Sequence, residues 1–177
     1  MATPEKVVIL GPESTGKSTL SAALAGHYQC SWVPEFAREY LLNLGRHYNY
    51  DDLLIIARGQ LQAEDKMAEQ TDKGFLFIDT DMYVMKVWCE FVFGKCHPFI
   101  LDQIAERKYG LYLLCNTDLP WVRDELREYP DLENRKKLFR IYKDLMVNQQ
   151  TPWVEISGQD DERLQQAIRA VDQLPTN

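Results

Sequence analysis

The chain of 177 residues carries 20 Lys plus Arg against 27 Asp plus Glu, a formal net charge of −7, with 45% hydrophobic and 27% charged residues. That length and apolar content suit one domain with its own core and exclude long disorder or a collagen-like fibre. An acidic chain without a Lys/Arg-rich run also poorly matches a protein that grips nucleic acid or an anionic membrane, both of which require a positive surface.

In chain order, short apolar runs alternate with longer segments of helical period. Val7 to Leu10, Ser31 to Val33, Phe75 to Ile78, Leu111 to Cys115 and Trp153 to Ile156 read as five strands, most of them stopping at Gly, Pro, Asp or Asn. Between them, Lys17 to Tyr28, Glu35 to Leu44, Asp51 to Gln70, Asp81 to Phe93, Pro98 to Lys108, Leu132 to Asn148 and Asp160 to Leu174 read as helices. This alternation predicts an α/β fold, a parallel sheet with helices on both faces. Phe75 to Ile78 is continuously apolar, as expected of a strand covered on both sides. No linker or repeat divides the chain, so residues 1–177 read as a single domain. The four cysteines form no CxxC pair, which argues against a zinc site or disulfide framework. No stretch resembles a signal peptide or approaches the roughly 18 apolar residues of a membrane helix. A cytoplasmic protein is the expectation.

The strongest motif is Gly11-Pro-Glu-Ser-Thr-Gly16-Lys17-Ser18, a full match to G-x-x-x-x-G-K-[ST]. It follows a predicted strand and opens a predicted helix, so that loop and helix N–H groups can converge on phosphate oxygens. Gly11 and Gly16 permit the tight loop, and Glu13, Ser14, Thr15 and Thr19 complete the nucleotide-binding set. Lys17 is placed to reach the β- and γ-phosphates of a bound nucleotide, and Ser18 to ligate Mg²⁺. The motif thus supplies a local positive site on an acidic chain.

The rest of the chain narrows the reaction. Guanine-nucleotide signatures are missing: Asp79 is followed by Thr80-Asp81-Met82, and Asn116 by Thr117-Asp118. The residue after Asp79 is Thr80 rather than the Glu expected of a hydrolytic motor, so transfer to a small hydroxyl acceptor is favoured over hydrolysis. Asp79 is the candidate metal carboxylate. Asp81 is read either as an acceptor-binding group or as a helix cap. Glu35 is read either as the base for the acceptor hydroxyl, with Arg38 one turn on, or as an ordinary first-turn acid paired with that Arg. The polar segment 118–137 reads as a short Arg-rich lid, in which Arg123, Arg127 and Arg135 are candidates for contacting phosphoryl oxygens. Trp121 is either a packing anchor or a stacking surface for an aromatic acceptor. Trp32, Trp88 and Trp153 read as core.

Taken together, Gly-Pro-Glu-Ser-Thr-Gly-Lys-Ser-Thr at 11–19, Glu-Phe-Ala-Arg-Glu at 35–39, Ile-Asp-Thr-Asp at 78–81 and Pro-Trp-Val-Arg-Asp-Glu-Leu-Arg at 120–127 resemble the ribosylnicotinamide kinase domain of the NadR family. The resemblance implies a three-layer P-loop kinase fold and ATP- and Mg²⁺-dependent phosphorylation of the ribose 5′-hydroxyl of nicotinamide riboside. It further implies that Lys17, Glu35, Asp79, Asp81 and Arg127 serve the chemistry, that Arg123 assists the nucleotide, and that Trp121 stacks on the nicotinamide ring with Asp124 nearby. Glu125 stands where the family pattern usually has Gly. Neither transcriptional regulation nor dinucleotide synthesis is expected from these residues.

Overall fold

The computed structural model describes residues 3–71 and 74–175. Its elements run β1 (Glu5–Leu10), α1 (Lys17–Tyr28), β2 (Trp32–Val33), α2 (Phe36–Leu44), α3 (Tyr50–Gln70), β3 (Phe75–Asp79), α4 (Met82–Phe93), α5 (Pro98–Glu106), β4 (Leu111–Cys115), α6 (Leu132–Val147), β5 (Trp153–Ile156) and α7 (Asp160–Val171). The five strands form one parallel sheet in the order β2-β3-β1-β4-β5, as the alternation predicts. β1 is therefore central. Connections leave it toward β2 and β3 on one side and β4 and β5 on the other, which creates a crevice at its carboxyl end where open α/β sheets bind ligands.

Successive β1 residues serve opposite faces. Val7 and Ile9 pack with Leu20, Leu24 and the α7 residues Ala167 and Val171. Val8 and Leu10 pack with Val84 and Val87 of α4 and Leu138, Tyr142 and Met146 of α6. These are the two helical layers. A third apolar cluster lies farther out, where Ala37 of α2 meets Leu53, Ile56, Ala57 and Leu61 of α3, Met85 and Cys89 of α4, and Ile100 of α5. It holds α2 and α3 against the sheet edge.

Several element ends differ from the sequence reading by one to three residues, and two of these bear on side-chain contacts. Glu35 is the N-cap residue of α2 rather than part of it. α5 stops before Lys108 because Arg107 turns to extended backbone, from which its guanidinium reaches Asp65 at 2.6 and 2.8 Å and Glu64 at 3.1 Å. No helix among the described residues is long and apolar enough to cross a membrane.

Candidate active site

The loop between β1 and α1 is set by backbone geometry. Gly11 adopts φ 141°, where a Cβ would lie 2.7 Å from the Cys115 carbonyl oxygen of β4, so no larger residue fits. Gly16 adopts φ 78° as the N-cap of α1 and provides no side-chain cap. By contrast α3, α4 and α6 are capped by Asn49, Asp81 and Asp131. The first N–H groups of α1 are thus left for an anion, which the helix dipole favours at this end.

Two buried arginines brace this loop from behind. Arg163 of α7 donates to the carbonyls of Thr15 (2.8 Å), Asn116 (3.0 Å) and Gly158 (2.9 Å), and also pairs with Asp118. Arg135 of α6 donates to the carbonyls of Ser14 (3.1 Å) and Leu119 (3.2 Å). The sequence reading missed Arg163 altogether, because a single Arg on an amphipathic helix carries no local signal.

At the mouth of the loop, the Ser18 hydroxyl donates to the Asp79 carboxylate at 2.5 Å, and the Lys17 ammonium donates to the Pro12 carbonyl at 3.0 Å. Asp79 ends β3 in register with Ile9, beside the loop. Thr80 then adopts φ 80°, a left-handed conformation costly for a β-branched residue. That turn sends Asp79 toward Ser18 and Asp81 toward α4. Burial raises the Asp79 carboxyl above its ordinary range, opposed by Lys17 and by hydrogen bonds from Ser18 and Thr80. Glu35, at the β2–α2 turn, is likewise raised by burial, with Lys17 and Arg38 opposing and Asp79 and Glu13 reinforcing. Its side chain makes no cap hydrogen bond. Arg38 pairs with Asp124 at 2.9 Å rather than with Glu35, so the local ion pair considered from sequence does not form.

Of these groups, Lys17, Ser18, Glu35 and Arg38 line a cavity of about 400 Å³, while Asp79 is buried beneath the loop and meets the cavity only through its hydrogen bond from Ser18. One wall is the 11–19 loop with Glu35 and Arg38. The other is apolar and aromatic: Tyr48 from the α2–α3 connection, Trp88 and Phe91 from α4, Tyr129 from the β4–α6 connection, with Trp32 also exposed to it. Trp88 donates to the Tyr48 hydroxyl at 3.1 Å, which donates in turn to the Glu128 carboxylate at 2.9 Å. Trp32 and Trp88, read as core, are cavity residues instead. Trp88 sits seven residues after Asp81, on the helix face that turns back to the site; helical spacing alone did not separate that face from the core.

Residues 116–131 form an irregular connection over the cavity, and α6 begins at Leu132, within the span read as lid. The loop itself fastens this connection. The Glu13 carboxylate accepts from the backbone of Glu128 (3.0 Å) and of Tyr129, and Ser14 Oγ accepts from Val122 at 3.0 Å. Of the arginines proposed there, Arg127 lines the cavity and donates to the Val122 carbonyl at 2.5 Å, while Arg123 is exposed away from it. Trp121 is not among the residues that line the cavity; its segment is tied to the loop and to α6 at Val122 and Leu119, and its indole Nε1 is buried without a hydrogen-bond partner. Asp124 accepts from Leu126 at 3.1 Å and joins the connection to α2 through Arg38. Glu125 is exposed. Asp81 is buried and caps α4, accepting from Tyr83 (3.1 Å) and Val84 (3.3 Å). It is therefore absent from the cavity wall, and the helix-cap alternative is the one realised.

The residues suit a magnesium nucleotide. No group of three or more His, Cys, Asp or Glu that could hold a metal exists among the described residues. Ser18 and Asp79 alone match an ion that keeps waters and takes its remaining ligands from phosphates.

A family model described as AAA domain matches residues 6–163. The trifunctional NAD biosynthesis/regulator proteins NadR of Escherichia coli and Salmonella typhimurium are each 31% identical over 173 residues, covering 95% of this chain and 42% of their own length. The chain thus spans less than half of these curated relatives. Among solved structures, NadR in complex with NR superposes with a TM-score of 0.76 at 23% identity, covering 97% of this chain and 51% of that one. NadR in complex with NAD and AMP-PNP gives 0.75 at 25% identity, covering 97% and 49%. Thymidylate kinase from Candida albicans shares the fold, with a TM-score of 0.65 at 17% identity over 97% of this chain and 92% of its own.

Proposed function

Since the chain belongs to the AAA domain family, with its phosphate-binding loop intact, we propose that it is an ATP-dependent kinase that phosphorylates the ribose 5′-hydroxyl of nicotinamide riboside to give nicotinamide mononucleotide. One observation carries this reading. A phosphate-binding loop and a carboxylate, Glu35, edge a cavity whose far wall is aromatic and carries a carboxylate, Glu128. Nicotinamide riboside combines a hydroxyl that needs a base with a flat pyridinium cation, and aromatic faces attract such cations. Tyr48, Trp88, Phe91 and Tyr129 are the residues we assign to the ring, in preference to Trp121.

The division of labour follows from position. Mg-ATP supplies a γ-phosphoryl group whose charge is partly neutralised when bound. Ser18 and Asp79 would hold the metal, and the open N-terminus of α1 with Lys17 would hold the phosphates. Glu35 takes the proton of the acceptor hydroxyl; a positioned base of this kind contributes about 10²–10⁴-fold. Arg127 reaches the phosphoryl oxygens from residues 116–131, which act as the lid and keep water out. We place the reaction in the cytoplasm, where ATP and Mg²⁺ are available. The NAD-salvage role supported by the likeness to NadR is extended here to this chain alone.

The test is ADP release from Mg-ATP with nicotinamide riboside, other nucleosides, shikimate, gluconate and no acceptor. Stimulation by nicotinamide riboside alone is expected. A different preferred acceptor would keep the kinase and change its substrate, and silence with every acceptor would leave a nucleotide-binding module without transfer activity.

A further inference from the structure

Gln60 of α3 touches no part of the cavity, yet its amide joins the two backbone segments that carry Glu35 and Asp79. It is 1% exposed. Its carbonyl oxygen accepts from Phe36 N–H at 2.8 Å, and its amide nitrogen faces the Pro34 carbonyl at 3.4 Å and the Asp79 carbonyl at 3.3 Å. Both residues flanking Glu35 are therefore bound to one side chain, which is also bound to the main chain of Asp79. β2, the strand ahead of Glu35, is only two residues long, so its ladder pairs little more than Trp32 and Val33 with β3. The sheet alone fixes this turn weakly.

A second observation points the same way. Gly59 precedes Gln60 on the helix, and a Cβ there would lie 2.3–2.6 Å from the Phe36 ring. α3 thus receives the start of α2 through a missing side chain at 59 and an amide clamp at 60. Full burial of a primary amide is tolerated only when its donors and acceptor are satisfied, and here the backbone on either side of Glu35 satisfies them.

We propose that Gln60 is a positioning residue, which sets the place of Glu35 relative to Asp79. This rests on the kinase reading with Glu35 as base. Misplacing a base by about 1 Å costs roughly 10²-fold in rate, whereas substrates held mainly by the 11–19 loop and the aromatic wall keep their affinity.

The experiment is a double-mutant cycle. Gln60→Met, of similar volume, is expected to lower kcat at least tenfold, with KM for ATP and acceptor each within threefold of wild type. In the double variant with Glu35→Gln, kcat should fall no further than in Glu35→Gln alone, because Gln60 acts through Glu35. Losses that multiply, or a Gln60→Met enzyme with unchanged kcat, would overturn the proposal. Should Gln60→Met fail to fold, Gly59→Ala displaces Phe36 by another route and must give the same cycle. If the wild type phosphorylates no acceptor, the kinase reading falls and Gln60 is judged by amide hydrogen exchange in the Mg-ADP complex. Loss of at least tenfold protection at Phe36 in Gln60→Met, with Leu113 unchanged, would uphold the clamp, and unchanged protection at Phe36 would overturn it.

Discussion

The two walls of the cavity are built by opposite means. The phosphate wall is one contiguous stretch, residues 11–19, whose working parts are main-chain groups and a few short side chains rooted on the central strand. The aromatic wall gathers Tyr48, Trp88, Phe91 and Tyr129 from three separate parts of the chain, and all of its working parts are side chains. A group common to every nucleotide is thereby met by geometry that no single substitution on the far wall disturbs. The acceptor is met by side chains that can change one at a time.

The sharpest division is expected from Lys17→Ala and Asp79→Asn. Each should lower kcat by about 10³-fold or more while the far wall still binds acceptor. Steady-state turnover and acceptor titration check this, and retained turnover would erase the contrast between the walls. Next, Trp88→Ala should raise the acceptor KM about tenfold and leave the ATP KM within twofold, the size of a lost aromatic and cation–π contact. Trp121→Ala should move neither constant by more than about twofold. Equal effects of Trp88→Ala on both substrates would blur the walls into one.

Glu13 belongs to the phosphate loop yet holds the segment that carries Tyr129 and Glu128. Glu13→Gln keeps an acceptor but loses its charge, which weakens hydrogen bonds to two N–H groups by about 1 kcal/mol in all. Limited proteolysis should then cut within 116–131 several-fold faster, with a smaller rise in acceptor KM. The mildest effect concerns the scaffold of the aromatic wall. Asp52, at the start of α3, is held well below the usual carboxylate range by Arg46, against the cost of burial, with help from the Asn49 N–H and the Tyr40 hydroxyl. A depressed pKa contributes stability that is present above the unfolded value of about 3.9 and lost as pH falls toward the folded value. Thermal melting of wild type should therefore decline below about pH 4. Asp52→Asn should start lower at neutral pH and decline less with acid.

The same contrast explains what could be read from the chain itself. β1, the loop and α1 follow from local rules of strand, glycine and helix start, and the parallel sheet follows from apolar runs that alternate with helices. Asp79 was legible because it ends an apolar strand. Trp88, Arg163 and Gln60 were not, since each acquires its role only when the sheet brings distant segments together. Asp81 shows the limit from the other side: its spacing fits both a cap and a substrate ligand, and only the turn at Thr80 separates them. Trp121 lies in a suggestive polar run, yet it is not among the cavity-lining residues, while Val122 and Leu119 beside it are tied to Ser14 and Arg135.

The placement of β1 has a consequence for how the molecule loses its abilities. That strand is paired on both sides and its last four residues are fully buried, whereas the part of the aromatic wall formed by Tyr129 sits on an irregular connection fastened by a few hydrogen bonds. In rising urea the connection should loosen first. Discrimination between acceptors would then fade while nucleotide is still retained, and fidelity, rather than nucleotide affinity, would be the first property a stressed molecule gives up.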